Sequence, residues 1–210
     1  MLFGNASPPV WIGVLIALVV GITFHEFSHA FSADQLGDHR PRALGRVSLN
    51  PLRHLDLLGS IFFLIAGFGW GKPVPVNAYA LRPGRIGMTL VAAAGPIANF
   101  AVAVAAALLF RMLDAVGLLG GDFGRTVVFF VCYFNLALGF FNLLPIPPLD
   151  GYNVVLPLLK PRQAFMVQRY AQYGYLVLLL LVVLSYSGSG GPLNWFFSLI
   201  GDLTAVLTGA

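Results

Sequence analysis

Five apolar stretches dominate this chain, at roughly Val10–Ala33, Ile86–Leu113, Thr126–Leu144, Tyr170–Tyr186 and Leu193–Leu207. About 20 apolar helical residues cross a hydrocarbon core, so the second is comfortably long and the last two are short. Only 10% of the residues are charged, where soluble domains carry about 25%. The expected fold is an all-α polytopic membrane protein with about five to six transmembrane or half-membrane helices. Leu149–Leu159 is too short to cross and reads as a half-helix or re-entrant piece. Residues 1–210 read as one membrane-embedded domain, with no soluble accessory domain, no repeat and no cleavable leader.

Loop charge sets the expected orientation. Arg40, Arg42, Arg46, Arg53, Lys72, Arg82 and Arg85 lie between the first two spans, and Lys160, Arg162 and Arg169 before the fourth. Alternating spans put these ten of the twelve basic residues on one side. The positive-inside rule then predicts a multi-pass cell-membrane protein with its N-terminus outside. Because the basic residues follow loop positions instead of forming a patch, nucleic acid is not an expected partner; the lipid bilayer is. Cys132, the lone cysteine, lies in an apolar run and reads as a small buried hydrophobe.

The segment Asp34–Arg85 is unlike an ordinary loop. Arg46–Asn50 and Pro73–Val76 read as short extended stretches, and the apolar Leu57–Phe68 between them reads as dipping into the bilayer. A small β-containing re-entrant segment after the first span is therefore expected, packed on the helices that carry the chemistry.

That chemistry starts at Glu26, the only glutamate, inside His25-Glu26-Phe27-Ser28-His29 at the end of the first span. A charge there costs roughly 2.5–3.5 kcal/mol on insertion scales, which argues for a chemical purpose. Histidines four apart on a helix differ by about 40° and ~6 Å of rise, so both imidazoles reach one metal ion. Glu26, about 100° round, lies beside the water such a metal activates. His-Glu-x-x-His on a helix is a zinc-peptidase arrangement.

A catalytic zinc needs a third protein ligand and an open position. Asp38 and His39 lie in a polar loop and read as solvated; His54 and Asp56 flank an arginine. Asp150 follows Pro145, Pro147 and Pro148 and precedes Gly151, in apolar surroundings where broken helix can aim it inward. Its alternative role is a helix N-cap. Gly95 and Asn99, spaced i, i+4 in an alanine-rich stretch, allow close helix approach, with Asn99 placed to hydrogen-bond near the site.

His25–His29, Gly95-Pro96-Ile97-Ala98-Asn99 and Asn142–Gly151 together resemble the site-2 protease family of intramembrane zinc metalloproteases, peptidase family M50. Arg46–Asn50 with Pro51 and His54, and Gly71–Val76, resemble that family's intervening segment, so the likeness spans most of Gly21–Tyr152. The resemblance implies a compact member without PDZ or CBS domains. It implies one zinc ion per chain on His25, His29 and Asp150, with Glu26 as general base; the loop charges put that end of the first span towards the cytoplasm. It also implies contacts to substrate or oxyanion from Asn142, His54 and Asn99. The implied reaction is hydrolysis of peptide bonds in or near the transmembrane segments of protein substrates. An ion transporter would also place histidine and acid in the membrane, but the second, fourth and fifth spans carry almost no polar groups at their centres.

Overall fold

A computed structural model describes residues 7–66, 69–82, 84–119, 121–186 and 191–209. The described residues form the helices α1 (Pro8–Gln35), α2 (Arg40–Ala43), α3 (Leu57–Ala66), α4 (Arg85–Ala115), α5 (Asp122–Asn142), α6 (Asp150–Val155), α7 (Pro161–Tyr170), α8 (Gly174–Tyr186) and α9 (Pro192–Thr208). Prolines open α1, α7 and α9, where a missing N–H costs nothing. The α1 helix has 28 residues and rises about 42 Å, so it exceeds a hydrocarbon core of about 30 Å.

Helices α1, α4 and α5 pack pairwise on one another and make the centre of the protein. Ala103, Ala106 and Ala107 of α4 meet Cys132, Leu136 and Ala137 of α5 and Ile200 of α9 in a closed apolar cluster. Alanine at these positions lets the helix backbones approach, which in lipid replaces a hydrophobic driving force. Cys132 is fully buried there, as its apolar run predicts. On the outside, α8 shows Leu176, Leu179, Leu180, Val183 and Leu184 to the surroundings, the pattern of a lipid-facing helix.

Among the described residues, four helical stretches are long and apolar enough to cross a membrane: Pro8–Gln35, Arg85–Ala115, Phe123–Asn142 and Pro161–Ser185. The protein is thus a helical membrane protein, with two corrections to the expected spans. The fourth starts at Pro161 and not at Tyr170, because Lys160 N–H is capped by Gln163 Oε1 at 3.2 Å and the expected basic loop winds into α7. The fifth forms as α9, but its 17 residues rise only about 26 Å, short of a full crossing.

The expected β-containing segment does not form. Among the described residues there is no strand, only an isolated antiparallel bridge between Leu55 and Gly71, with Lys72 N–H donating to the His54 carbonyl at 2.7 Å. Pro73 and Pro75 remove the donors a ladder needs. Arg46–Asn50 turns instead into a 3-10 turn at Pro51–Arg53, with Leu52 N–H donating to Asn50 Oδ1 at 3.0 Å. Of the apolar stretch expected to dip, 57–66 forms α3, while Gly67 and Phe68 lie outside the described residues.

Side chains tie the segment between α1 and α4 down. Asp34 accepts from Arg42 Nη2 at 2.7 Å, and Arg82 N–H donates to the Leu36 carbonyl at 2.8 Å. Asp38, expected to be solvated, is 1% exposed. It accepts from Arg40 Nε and Nη2, both at 2.9 Å, and from the Asn77 N–H at 2.6 Å. The Arg40 guanidinium above all holds this carboxyl down, to about 2. His39, by contrast, is largely exposed.

Candidate metal centre

His25 and His29 point from α1 into the space between α1, α4 and α6, and both are buried. Their Nε2 atoms lie 3.1 Å apart, with the rings edge to face. Asp150 Oδ2 completes a triangle, 3.0 Å from His25 Nε2 and 3.2 Å from His29 Nε2. Three ligands at ~2.05 Å from a tetrahedral zinc ion would stand roughly 3.3 Å from one another. The triangle is that size.

Three local features put Asp150 there. Pro145, Pro147 and Pro148 keep α5 from continuing past Asn142. Gly151 then lets α6 press onto the end of α5: a Cβ there would collide with the Leu143 carbonyl and lie 2.5 Å from that of Leu144. Thr89 Oγ1, donating to the Val154 carbonyl at 3.2 Å, ties α6 to α4. The N-cap alternative is not taken up. Leu149 is the cap residue, and Asp150 is the first helical residue, turned towards the histidines.

The opposite ring nitrogens decide what the cluster can hold. His29 Nδ1 lies 2.7 Å from the Val91 carbonyl, which can only accept, so Nδ1 carries the proton. His25 Nδ1 lies 2.6 Å from Asn99 Oδ1. The Asn99 amide is oriented by donating from Nδ2 to the Gly21 carbonyl at 3.1 Å and to Asn135 Oδ1 at 3.0 Å. Asn135 is oriented in turn by its own Nδ2 donating to the Val131 carbonyl at 2.8 Å. With a single proton on each ring, both histidines turn bare Nε2 lone pairs towards Asp150 Oδ2. That oxygen is buried and, although at ion-pair distance from both rings, has no hydrogen-bond partner. Three acceptors converging without a donor repel one another unless a cation sits between them, and two imidazoles with a carboxylate suit zinc. The residues fit a metal ion, and hydrogen bonds to the far side of each imidazole are what metal-binding histidines use to fix ring and tautomer.

Close packing shapes the roof of the site. Gly95 of α4 lies directly over the imidazoles: a Cβ would fall 2.6 Å from His29 Cε1 and 2.7 Å from His25 Cε1. Glu26 is largely buried, and its Oε2 lies 3.9 Å from Arg46 Nη2.

The residues expected to contact substrate all make hydrogen bonds within the protein. Asn99 is fully buried with its amide committed as described, its Oδ1 on His25 Nδ1. Asn142 Nδ2 donates to the Leu138 carbonyl one turn back at 2.9 Å. His54 is fully buried, its Nε2 on the Ser48 carbonyl at 2.6 Å and its backbone carbonyl on Lys72. Two contributors escaped the sequence reading. Asn135 is an uncharged polar residue within an apolar span, a signal that could have found it. Arg46 looks like a loop charge in sequence and is buried in the structure.

Fold and site define a helical membrane protein built around a candidate His-His-Asp metal centre. The sequence model of peptidase family M50 matches residues 122–185, which include Asp150 but not the histidine pair. "Putative zinc metalloprotease YwhC" of Bacillus subtilis is 38% identical over 174 residues, covering 81% of this chain and 80% of that protein. "Putative zinc metalloprotease Rip2" of Mycobacterium tuberculosis is 35% identical over 214 aligned residues, covering 94% and 79%. "Putative zinc metalloprotease MJ0611" of Methanocaldococcus jannaschii is 32% identical over 155 residues, covering 73% and 74%. No solved structure matches the chain. The chain belongs to peptidase family M50 and is a metalloprotease, as the resemblance to site-2 proteases implies.

Proposed function

We propose that this metalloprotease uses one zinc ion per chain, held by His25, His29 and Asp150, to cut a peptide bond within or at the edge of another protein's transmembrane segment. The observation that carries this is the convergence of three lone-pair donors inside a bundle of membrane-length helices. Zinc bound there would polarise a peptide carbonyl and lower the pKa of a water towards 7. Glu26, one residue from His25, takes the proton of the attacking water on its carboxylate and passes it to the leaving amine. Asn99 and the Val91 carbonyl keep the imidazoles in the ligand tautomer throughout.

The partners are a transmembrane protein substrate and the lipid bilayer. Peptide bonds in an intact helix are covered, so the substrate unwinds before cleavage. Residues 72–77, which follow Gly71 beside Glu26 and are neither helix nor strand, offer backbone to an extended chain. Loop charge supports a cytoplasmic-side active site with the N-terminus outside, and the chain acts as a single membrane-embedded domain.

Glu26→Gln tests the reading. Cleavage of a model transmembrane substrate in proteoliposomes should disappear while bound zinc stays near one per chain. Retained cleavage would remove Glu26 as the base, and zinc lost along with His25→Ala alone but not Asp150→Ala would remove Asp150 as a ligand.

A further inference from the structure

Arg46 is the clearest feature that the metal site leaves unexplained. It is 6% exposed, its Nη2 donates to the Lys72 carbonyl, and its Nε is buried without a hydrogen-bond partner. Burying a guanidinium with a donor unsatisfied is costly unless a nearby charge compensates. That charge is Glu26, with Oε2 at 3.9 Å from Arg46 Nη2. The other carboxylate oxygen meets the same segment from the backbone side: a Cβ on Gly71 would lie 3.1 Å from Glu26 Oε1 and 2.9 Å from Ile22 Cγ2. Gly71 is held in turn by its bridge to Leu55 and by Lys72 N–H on the His54 carbonyl.

We propose that Arg46 is a positioning residue for the peptidase reaction, forming with the Gly71–Lys72 backbone a slot that orients the Glu26 carboxylate beside the metal site. The inference rests on Glu26 acting as the base. A charge-assisted hydrogen bond would bring nitrogen to about 2.7–2.9 Å and occupy a carboxylate lone pair. At 3.9 Å the guanidinium attracts the carboxylate and leaves that lone pair free to take a proton. By also gripping the Lys72 carbonyl, the same nitrogen locks the segment that carries Gly71 onto α1. Glu26 thus has a wall on each side, one cationic and one made of backbone where an added Cβ would press on the carboxylate.

The full chain in proteoliposomes, with a fluorogenic transmembrane substrate, tests this through Arg46→Met, Arg46→Lys and Gly71→Ala. Arg46→Met should lower kcat by about tenfold or more, with KM changed less than about twofold and zinc per chain unaltered. Arg46→Lys should recover part of that loss by restoring the charge. Gly71→Ala should lower kcat in the same way by crowding the carboxylate, which keeps the test alive should Arg46→Met fold poorly. The inference is overturned if kcat is unchanged in Arg46→Met and Gly71→Ala, if lysine does no better than methionine, or if activity falls only in step with zinc or folded protein. An active Glu26→Gln would instead bring down the base assignment beneath it, and the two failures are distinct.

Discussion

Asn99 and Asn135 face one another across α4 and α5, with Asn99 Nδ2 donating to Asn135 Oδ1 at 3.0 Å. This bond fixes which end of the Asn99 amide His25 meets, and so which nitrogen of His25 is left for a metal. Through Asn99, Asn135 thereby bears on the tautomer of a histidine that it does not itself hydrogen-bond. Buried polar chains of this kind hold only while every member is satisfied.

Breaking that chain should therefore weaken the metal site without removing a ligand. Asn99→Leu is expected to reduce zinc affinity by roughly 10–100-fold, the usual cost of losing an outer partner. Asn135→Leu should cost less, because Asn99 keeps its bond to the Gly21 carbonyl. Competition against a chromophoric chelator measures both; equal affinity in all three proteins would refute the relay.

Gly95→Ala places a methyl group against both imidazoles, at 2.7 Å or closer to the carbons named above. Overpacking of this kind costs about 1–3 kcal/mol. Here it should appear first as lost zinc, with a lowered thermal midpoint, whereas Ala94→Gly next to it should retain metal. Zinc analysis of purified protein decides it, and full metal content in Gly95→Ala would show that the helices can part.

Asp150→Asn keeps the shape of the third ligand and removes its charge. Stoichiometric zinc should be lost and proteolysis with it, while thermal unfolding without metal should be unchanged or later, since three converging acceptors no longer include a charge. Atomic absorption together with unfolding in chelator separates the two effects.

The segment after α1 should loosen in acid. The Arg40 guanidinium, followed by the Asn77 N–H, lowers the Asp38 carboxyl from 3.8 to about 2. A folded-state value below the unfolded one gives stabilisation that is fully present above pH 3.8 and is lost as pH falls through about 2. Hydrogen exchange at the Asn77 and Tyr79 amides should accelerate over that window, and Asp38→Asn should remove the dependence.

Much of this was readable in the chain before any folding. The four-residue spacing of His25 and His29 makes them neighbours on any helix, and an apolar run of this length leaves the helix as the available form. Cys132 and the close approach at Gly95 follow from equally local chemistry. The proline-rich stretch before Asp150 marks broken helix for the same reason: proline lacks the N–H that would continue it.

Other features depended on partners far away in sequence. Arg46–Asn50 alternates polar and apolar side chains as a strand does, but a strand needs a neighbour with free donors, and Pro73 and Pro75 have none. Asp38 looks solvated until the Asn77 backbone, 39 positions on, closes over it. Arg46 counts as one more loop cation until Lys72 folds back beside Glu26.

The sequence by itself determined the medium, the long helices and the pairing of His25 with His29, because hydropathy and the helical period act within a few residues. Only the tertiary structure decided that Asp150 meets that pair, that Asn99 and Asn135 bear on the His25 tautomer, and that Arg46 lies beside Glu26. Those contacts join residues 20 or more positions apart, and no local pattern records which distant groups a packed bundle brings within 4 Å.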